Sequence, residues 1–305
     1  MSELGCFMEW THGNTWYRII RKDDDGGSLR TSSLPPVIVL HGGPGTAHNY
    51  VLGIAKVVTA SGDRDAIVYD QIGCGHSTHY PGDMKPKSFW TPELFMDELE
   101  CLIQHLGISE QFVLIGHSWG GMLAMQFAAT RKHRGLKAMI ICNSPASMKV
   151  WISETSRLRN ELPSKVQELL KKHEDDGTTD SAEYKNAVEV FNDKHFCRVP
   201  MPQEVLDSFA KMKEDMTVYH TMCGPSEMFI TGSLREWDIR DQLCNIEAAT
   251  LIVSGQYDEA TPEMVHEIHE RIKGSRWELF KESSHMPHIE ELARFKRIVE
   301  EFLAQ

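Results

Sequence analysis

Short runs of apolar residues, most of them β-branched, recur along the chain without the polar alternation of a half-exposed strand. Continuous runs of this length are typical of strands buried on both faces of a parallel sheet. Helical patterns lie between some of them: one begins at Thr91-Pro92 and ends at Gly107, and another begins at Trp119. The strands predicted in this way span residues 37–40, 66–70, 112–116, 138–142 and 250–254, followed by another at 277–280.

The alternation of strand and helix breaks between about Pro145 and Trp237. This stretch carries only amphipathic helical patterns, and strand-like sequence resumes at Thr250. We therefore predict an α/β fold with a mostly parallel central sheet and helices on both faces. Residues 1–144 and 241–305 form this core, and residues 145–240 form an inserted helical cap. The helices predicted in the cap span residues 155–162, 164–173, 181–192 and 202–212.

Composition narrows the classes of protein to consider. The net charge of −12 disfavours nucleic acid and anionic membrane surfaces as partners. The N-terminal residues show no signal peptide, and no apolar run reaches the length of a membrane span. The seven cysteines are scattered, odd in number and without a C-x-x-C pair, so free thiols in the reducing cytoplasm are expected.

The chemistry starts at Ser118, the centre of the G-x-S-x-G sequence 116–120. The bare pattern is only moderately specific, but here it follows a predicted strand and opens a predicted helix. That setting is the nucleophile elbow of the α/β-hydrolase fold, in which a sharp turn exposes the serine at the end of a strand. The alternative is a glycine-rich connection with an incidental serine.

A serine nucleophile needs a base, and the base needs an orienting acid, in the order Ser, acid, His in this fold. Asp258 and His285 each follow a late predicted strand and satisfy that order. Asp258 could instead be a turn or N-cap residue, and His288 is a rival for the base. His266 and His269 are three residues apart rather than four, so we predict no zinc site there and no cofactor.

The sequence His-Gly-Gly-Pro-Gly at 41–45 directly follows the first predicted strand. Such a turn lets backbone N–H groups approach a developing oxyanion. We assign the oxyanion hole to the N–H groups of Gly43 and Trp119. The alternative is a tight loop that needs its glycines for geometry alone.

These segments together resemble the proline iminopeptidase (prolyl aminopeptidase) family of α/β-hydrolases, close to its tricorn-interacting aminopeptidase branch. The resemblance implies release of the N-terminal residue, proline or another apolar or aromatic one, from a short peptide or amino-acid amide. It also implies that Glu227 and Glu259 hold the free α-ammonium group of the substrate. Without the resemblance, the local sequence would suggest that Glu227 is an ordinary solvated acid. The matching segments are 41–45, 70–77, 116–121, 223–227, 232–239, 256–262 and 284–285.

Two other functions stay open at the level of sequence. The same triad would serve an esterase, a lactonase or a carbon–carbon hydrolase whose substrate has no amine. A non-catalytic receptor on the same fold is a third possibility, although such proteins commonly lose triad members. No nucleic acid or membrane partner is expected, and a monomer is plausible.

Overall fold

The computed structural model describes residues 5–22, 27–30, 32 and 34–305, so residues 1–4, 23–26, 31 and 33 of the predicted core lie outside it. Within these ranges the chain forms an eight-stranded sheet in the order β1-β2-β4-β3-β5-β6-β7-β8. The first two pairings, β1 with β2 and β2 with β4, are antiparallel and the others are parallel. The strands are β1 Cys6–Trp10, β2 Gly13–Ile20, β3 Val37–Leu40, β4 Ala66–Tyr69, β5 Phe112–His117, β6 Leu136–Cys142, β7 Ala249–Gly255 and β8 Arg276–Phe280.

The described residues form eleven α-helices and five short 3₁₀ helices. The α-helices are α1 Leu52–Thr59, α2 Pro92–His105, α3 Trp119–Arg131, α4 Met148–Arg159, α5 Ser164–Asp175, α6 Ala182–His195, α7 Gln203–Glu214, α8 Thr217–Met222, α9 Pro262–Arg271, α10 Pro287–Glu290 and α11 Leu292–Leu303. The 3₁₀ helices are His48–Val51, Gly82–Met84, Lys87–Phe89, Ser233–Glu236 and Arg240–Asn245. None of the helices in this part of the chain is long and apolar enough to cross a bilayer.

The mostly parallel sheet with helices on both faces confirms the predicted fold class. Along β3, the side chains of Val37 and Val39 join one apolar cluster, which is closed by α1 and α11. Those of Ile38 and Leu40 join a second cluster on the other face, closed by α2 and α3. Both faces are therefore covered, which explains why the predicted strands contain so few polar residues.

Two local predictions differ from the structure. The hairpin of β1 and β2 was not predicted, because its residues mix polar and apolar side chains rather than forming a continuous apolar run. The helix predicted at 155–162 begins earlier, at Met148, because the Ser147 hydroxyl accepts a hydrogen bond from the Val150 N–H and caps it.

Helices α4 to α8 lie between β6 and β7 in the chain, and α4, α5 and α6 share a small apolar cluster of their own, which includes Leu170 and Phe191. Helix α7 packs against the 3₁₀ helix His48–Val51 of the core. There the Ser208 hydroxyl donates to the Ala47 carbonyl oxygen over 2.8 Å. These helices thus rest on the same edge of the sheet at which Ser118 lies; the exact limits 145–240 stay a prediction.

Candidate active site

Ser118 stands between the end of β5 and the start of α3. Its backbone has φ 55° and ψ −123°, a conformation that is rare for a residue with a side chain and is typical of strained functional turns. A Cβ at Gly116 would run into the carbonyl of Gly120, and one at Gly120 would run into the carbonyl of Leu40. Both glycines of the motif are therefore required by the close approach of three backbone segments.

Asp258 and His285 follow β7 and β8, at the same carboxyl edge of the sheet as Ser118. The Nδ1 of His285 lies 2.7 Å from Oδ1 of Asp258, and the Ala260 N–H donates to that oxygen over 2.9 Å. The other oxygen, Oδ2, accepts a 2.6 Å hydrogen bond from the side-chain amide of Asn143. Both oxygens of the buried Asp258 carboxylate thus accept hydrogen bonds. The Nδ1–H of His285 points toward this carboxylate, so Nε2 is the nitrogen that can accept a proton.

Asn143 did not enter the predicted site. It follows β6, and its φ of 55° lies in the left-handed region that asparagine tolerates better than most residues. A polar residue directly after a buried strand was the signal available, since carboxyl ends of parallel strands share one edge.

Ser118 and His285 line the same cavity, although no hydrogen bond among the described residues joins their side chains. Such bonds are often long before substrate binds. The rival base His288 is 2% exposed and is not among the described residues that line the cavity. Burial lowers the pKa of His288 to about 3, so it is a neutral packing residue against Tyr50 and Phe295.

Gly43, the first predicted oxyanion donor, lines the cavity beside Ser118. Its φ of 111° is open only to glycine, and a Cβ there would approach the backbone nitrogen of Gly45 to 2.5 Å. Trp119, the second predicted donor, begins helix α3, so its N–H is one of the four at a helix start without an intrahelical acceptor. That the N–H groups of Gly43 and Trp119 form an oxyanion hole stays a prediction.

Tyr50 connects residues 41–45 (the predicted oxyanion loop) to the predicted base, His285. Its hydroxyl accepts a 2.6 Å hydrogen bond from the Gly42 N–H and lies 3.0 Å from Nδ1 of His117. The Nε2 of His117 lies 2.7 Å from the His285 carbonyl oxygen, which can only accept. His117 therefore donates from Nε2 and accepts at Nδ1, and burial lowers its pKa well below the usual range in agreement with a neutral ring.

Gln71 connects the oxyanion loop to the nucleophile elbow. Its side-chain amide donates to the His41 carbonyl oxygen over 3.1 Å, and its Oε1 accepts from the Trp119 indole N–H over 2.8 Å. One buried side chain thus sets the separation of the two segments that carry the predicted oxyanion donors. Tyr50 and Gln71 were both missed from the sequence.

Glu227 and Glu259 both line the cavity that contains Ser118. Glu227 is partly buried and accepts a 3.0 Å hydrogen bond from the Tyr219 hydroxyl. Glu259 is 1% exposed, and neither of its oxygens accepts a hydrogen bond from a described residue. Burial raises the pKa of both carboxyls, and the nearby imidazole of His285 opposes that shift only in part.

The cavity has a volume of about 480 Å³. Away from Ser118 its wall is mostly apolar and comes from the helices and connecting segments between β6 and β7, including Phe191, Phe209 and Met228. No cluster of histidine, cysteine or acidic side chains suited to a metal occurs in the part of the chain that is described. All seven cysteines are described, and each is a free thiol.

Residues 35–292 match the family model of the alpha/beta hydrolase fold. The chain is 36% identical over 298 residues to a proline iminopeptidase of Heyndrickxia coagulans, and the match covers 97% of each protein. The crystal structure of VinJ superposes with a TM-score of 0.91 at 40% identity, covering 99% of this chain and 98% of that one. A proline iminopeptidase of Mycobacterium smegmatis superposes with a TM-score of 0.88, at the same identity and coverage.

Proposed function

Because this chain belongs to the proline iminopeptidase family of α/β-hydrolases and is a serine aminopeptidase of that type, we propose that Ser118, His285 and Asp258 are its catalytic triad. The substrate we propose is a short peptide or amino-acid amide with a free N-terminal amine. The observation that carries this proposal is the cavity itself, in which Ser118, His285, Glu227 and Glu259 face one space.

The proposed reaction is an acyl transfer to Ser118. The Nε2 of His285 takes the hydroxyl proton as Ser118 attacks the scissile carbonyl carbon, and Asp258 stabilises the resulting imidazolium through its 2.7 Å contact with Nδ1. His285 then gives this proton to the nitrogen of the leaving amine. In the second half, His285 activates a water molecule that hydrolyses the acyl-enzyme and releases the amino acid.

The carbonyl oxygen becomes negative in the tetrahedral intermediate and needs donors aimed at it. We assign these to the N–H groups of Gly43 and Trp119. Gln71 and the Tyr50 hydroxyl hold the two backbone segments in place, so the donors need no rearrangement when charge develops.

Glu227 and Glu259 bind the substrate's α-ammonium group in this proposal. An N-blocked substrate would leave both carboxylates in a largely buried site without a counter-charge, which is strongly unfavourable. A paired-carboxylate site has no evident use for an esterase or lactonase substrate that lacks an amine. The geometry therefore favours the aminopeptidase reaction over these alternatives.

The apolar wall supports an apolar or aromatic first residue, and the volume of about 480 Å³ exceeds what proline alone requires. We propose that residues 145–240 act as the cap that provides this wall. A monomer in the cytoplasm remains our expectation, and nothing in the proposed reaction requires a metal or an organic cofactor.

A panel of amino-acid arylamides, each free and N-acetylated, tests the function together with simple esters. We expect turnover of free proline, phenylalanine and leucine arylamides and a loss of at least about 100-fold on acetylation. Glu227→Gln should lose most of this discrimination. Glu189→Gln, at an exposed position of the same cavity wall, is the matched control and should retain it. Equal turnover of free and acetylated substrates would contradict the aminopeptidase proposal.

Labelling with a fluorophosphonate tests the triad without reference to the substrate. The reagent should modify the wild-type chain and fail to modify Ser118→Ala. His285→Ala should slow the labelling by several orders of magnitude. A His285→Ala chain that is labelled at the wild-type rate would show that another group activates the serine.

A further inference from the structure

The catalytic base faces two carboxylates at one nitrogen. The Nδ1 of His285 lies 2.7 Å from Oδ1 of Asp258 and 3.9 Å from Oε1 of Glu259. Asp258 is fixed by hydrogen bonds from Asn143 and Ala260, whereas the Glu259 carboxyl accepts none from the described residues and is nearly inaccessible. Glu259 therefore acts on its surroundings chiefly through its charge.

The other groups around His285 do not balance this charge. Glu227 adds a third carboxylate from the α8 side of the cavity, while His117 at the end of β5 and His288 on α10 are neutral because burial lowers the pKa of each. Lys213 is the one lysine or arginine among the described residues that line the cavity, and it is exposed on α7. Around His285 there are thus three carboxyl groups, and among the described imidazoles there His285 is the one whose pKa burial does not lower overall.

Such a cluster titrates as a unit, because buried carboxylates close together cannot all be ionised without a cation. Burial raises the pKa of Glu259 well above its usual range and that of Glu227 to about 6. Burial opposes a charge on His285 as well, but Asp258, Glu259 and Glu227 together raise its pKa to about 9. An imidazole that holds a proton cannot take one from Ser118, so a proton held by this cluster has to leave before His285 can act as the base.

We propose that Glu259 has a role beyond anchoring: it helps retain a proton on the acidic cluster of the empty site, and the substrate's ammonium group expels this proton and frees His285 to act as the base. This inference rests on the proposed ammonium site. One ammonium group enters and one proton leaves to solvent, so one N–H or O–H bond of the cluster is broken, its electron pair stays on the nitrogen or oxygen, and no bond between heavier atoms changes. A substrate with a free amine thereby activates the base that cleaves it.

The test compares two pH profiles measured with phenylalanine arylamide. The acidic limb of kcat/KM reports the free enzyme and that of kcat reports the enzyme–substrate complex. We expect the limb of kcat to lie about one to two pH units below that of kcat/KM, because bound ammonium disfavours the imidazolium. In Glu259→Gln the limb of kcat/KM should move to lower pH, and the separation between the limbs should narrow.

Glu189→Gln removes a carboxylate at the exposed part of the cavity wall and should leave the separation between the two acidic limbs as in the wild type.

A second measurement needs only the wild-type chain. Calorimetry in buffers of different ionisation enthalpy should count close to one proton released near pH 7.5 when phenylalaninol binds, and none when 3-phenylpropanol binds. This count remains decisive if Glu259→Gln does not fold.

The outcomes separate this inference from the function on which it rests. Coincident limbs and no proton release, with acetylated arylamides still rejected, would overturn the role of the ammonium in activating the base and leave its anchoring intact. Equal turnover of acetylated arylamides would overturn both. Separated limbs that Glu259→Gln draws together, with Glu189→Gln unchanged, would support the inference.

Discussion

The aromatic ring of Phe196 stacks on the imidazole of His285, with ring centroids 5.5 Å apart and planes inclined by 29°. The backbone N–H of His285 also donates to the Phe196 carbonyl oxygen over 3.2 Å. Phe196 directly follows α6, so a residue of the predicted cap contacts the proposed base both by its ring and by its backbone. The predicted cap thus contacts His285 as well as lining the cavity.

The neighbours of Phe196 extend this connection to the loop that carries the acid. Nδ1 of His195 lies 2.8 Å from the Tyr257 carbonyl oxygen, one residue before Asp258. The guanidinium of Arg198 lies 3.6 Å from the centre of the Tyr257 ring. Residues 195–198 therefore join both late catalytic loops to the cap.

We predict that Phe196→Leu lowers kcat about 3- to 10-fold, since an aromatic pair contributes about 0.5–1.5 kcal/mol beyond its buried area. Phe209 is the matched control, because it lines the same cavity and contacts Phe196 rather than His285. Phe209→Leu should change KM more than kcat. The rate of fluorophosphonate labelling gives a second measure that excludes substrate binding. Equal effects of the two substitutions on that rate would show that the stack does not position His285.

Asn143→Gly should lower kcat about 10- to 100-fold with little change in KM, because it removes the amide that donates to Asp258 and leaves a buried charged acceptor short of a partner. Glycine accepts the left-handed backbone at this position without strain. Lys132→Gly, at an exposed left-handed position after α3, controls for the backbone effect and should retain activity. Thermal unfolding verifies that both chains are folded; kcat within twofold of wild type would refute the role of Asn143.

Gln71→Glu keeps an acceptor for the Trp119 indole but places a carboxylate against the His41 carbonyl oxygen. The oxyanion loop and the elbow should then separate. We expect the affinity for an α-aminoboronic acid, whose tetrahedral adduct places an oxygen in the hole, to fall about 10- to 100-fold. The affinity for phenylalaninol, which forms no such adduct, should change little.

Gln126→Glu is the matched control for Gln71→Glu. Gln126 accepts a 2.7 Å hydrogen bond from the Trp237 indole, the same kind of contact at a distance from the oxyanion loop. Its substitution should leave both affinities unchanged. Parallel losses of boronate and phenylalaninol binding in Gln71→Glu would show a general disturbance of the cavity rather than of the oxyanion hole.

The three residues of the proposed triad could be singled out from the sequence because each is marked locally. Ser118 lies in a recognisable motif between a strand and a helix, and Asp258 and His285 follow buried strands in the order that the fold requires. The parallel sheet then brings these strand ends to one edge. Apolar periodicity, which locates the strand ends, was therefore sufficient to predict that these three side chains lie near one another.

The supporting residues could not be predicted in this way. Tyr50 contacts His117, 67 positions away, and Asn143 contacts Asp258, 115 positions away. Neither pair leaves a local pattern, since each contact depends on how loops approach after the sheet has formed. Phe196 depends further on how the cap rests on the core.

The last prediction concerns Glu98, a fully buried carboxyl on α2 that accepts hydrogen bonds from the Thr15 hydroxyl and the Ile72 N–H. Burial raises its pKa to about 8, above that of an unfolded chain, and these hydrogen bonds only partly oppose the shift. The native state therefore holds a proton that the unfolded chain has lost between roughly pH 4.5 and 8. Its contribution to stability is complete below that window and is lost as the pH rises through it.

Glu98→Gln keeps the shape and a neutral acceptor, so it should remove this pH dependence. Urea denaturation at pH 5, 6.5 and 8 should show the unfolding free energy of the variant rising relative to wild type, by up to a few kcal/mol across the window. Glu93→Gln, on the exposed side of the same helix, should follow the wild-type curve. A constant difference between Glu98→Gln and wild type at all three pH values would mean that Glu98 is already ionised in the native state at pH 5, against the effect of its burial.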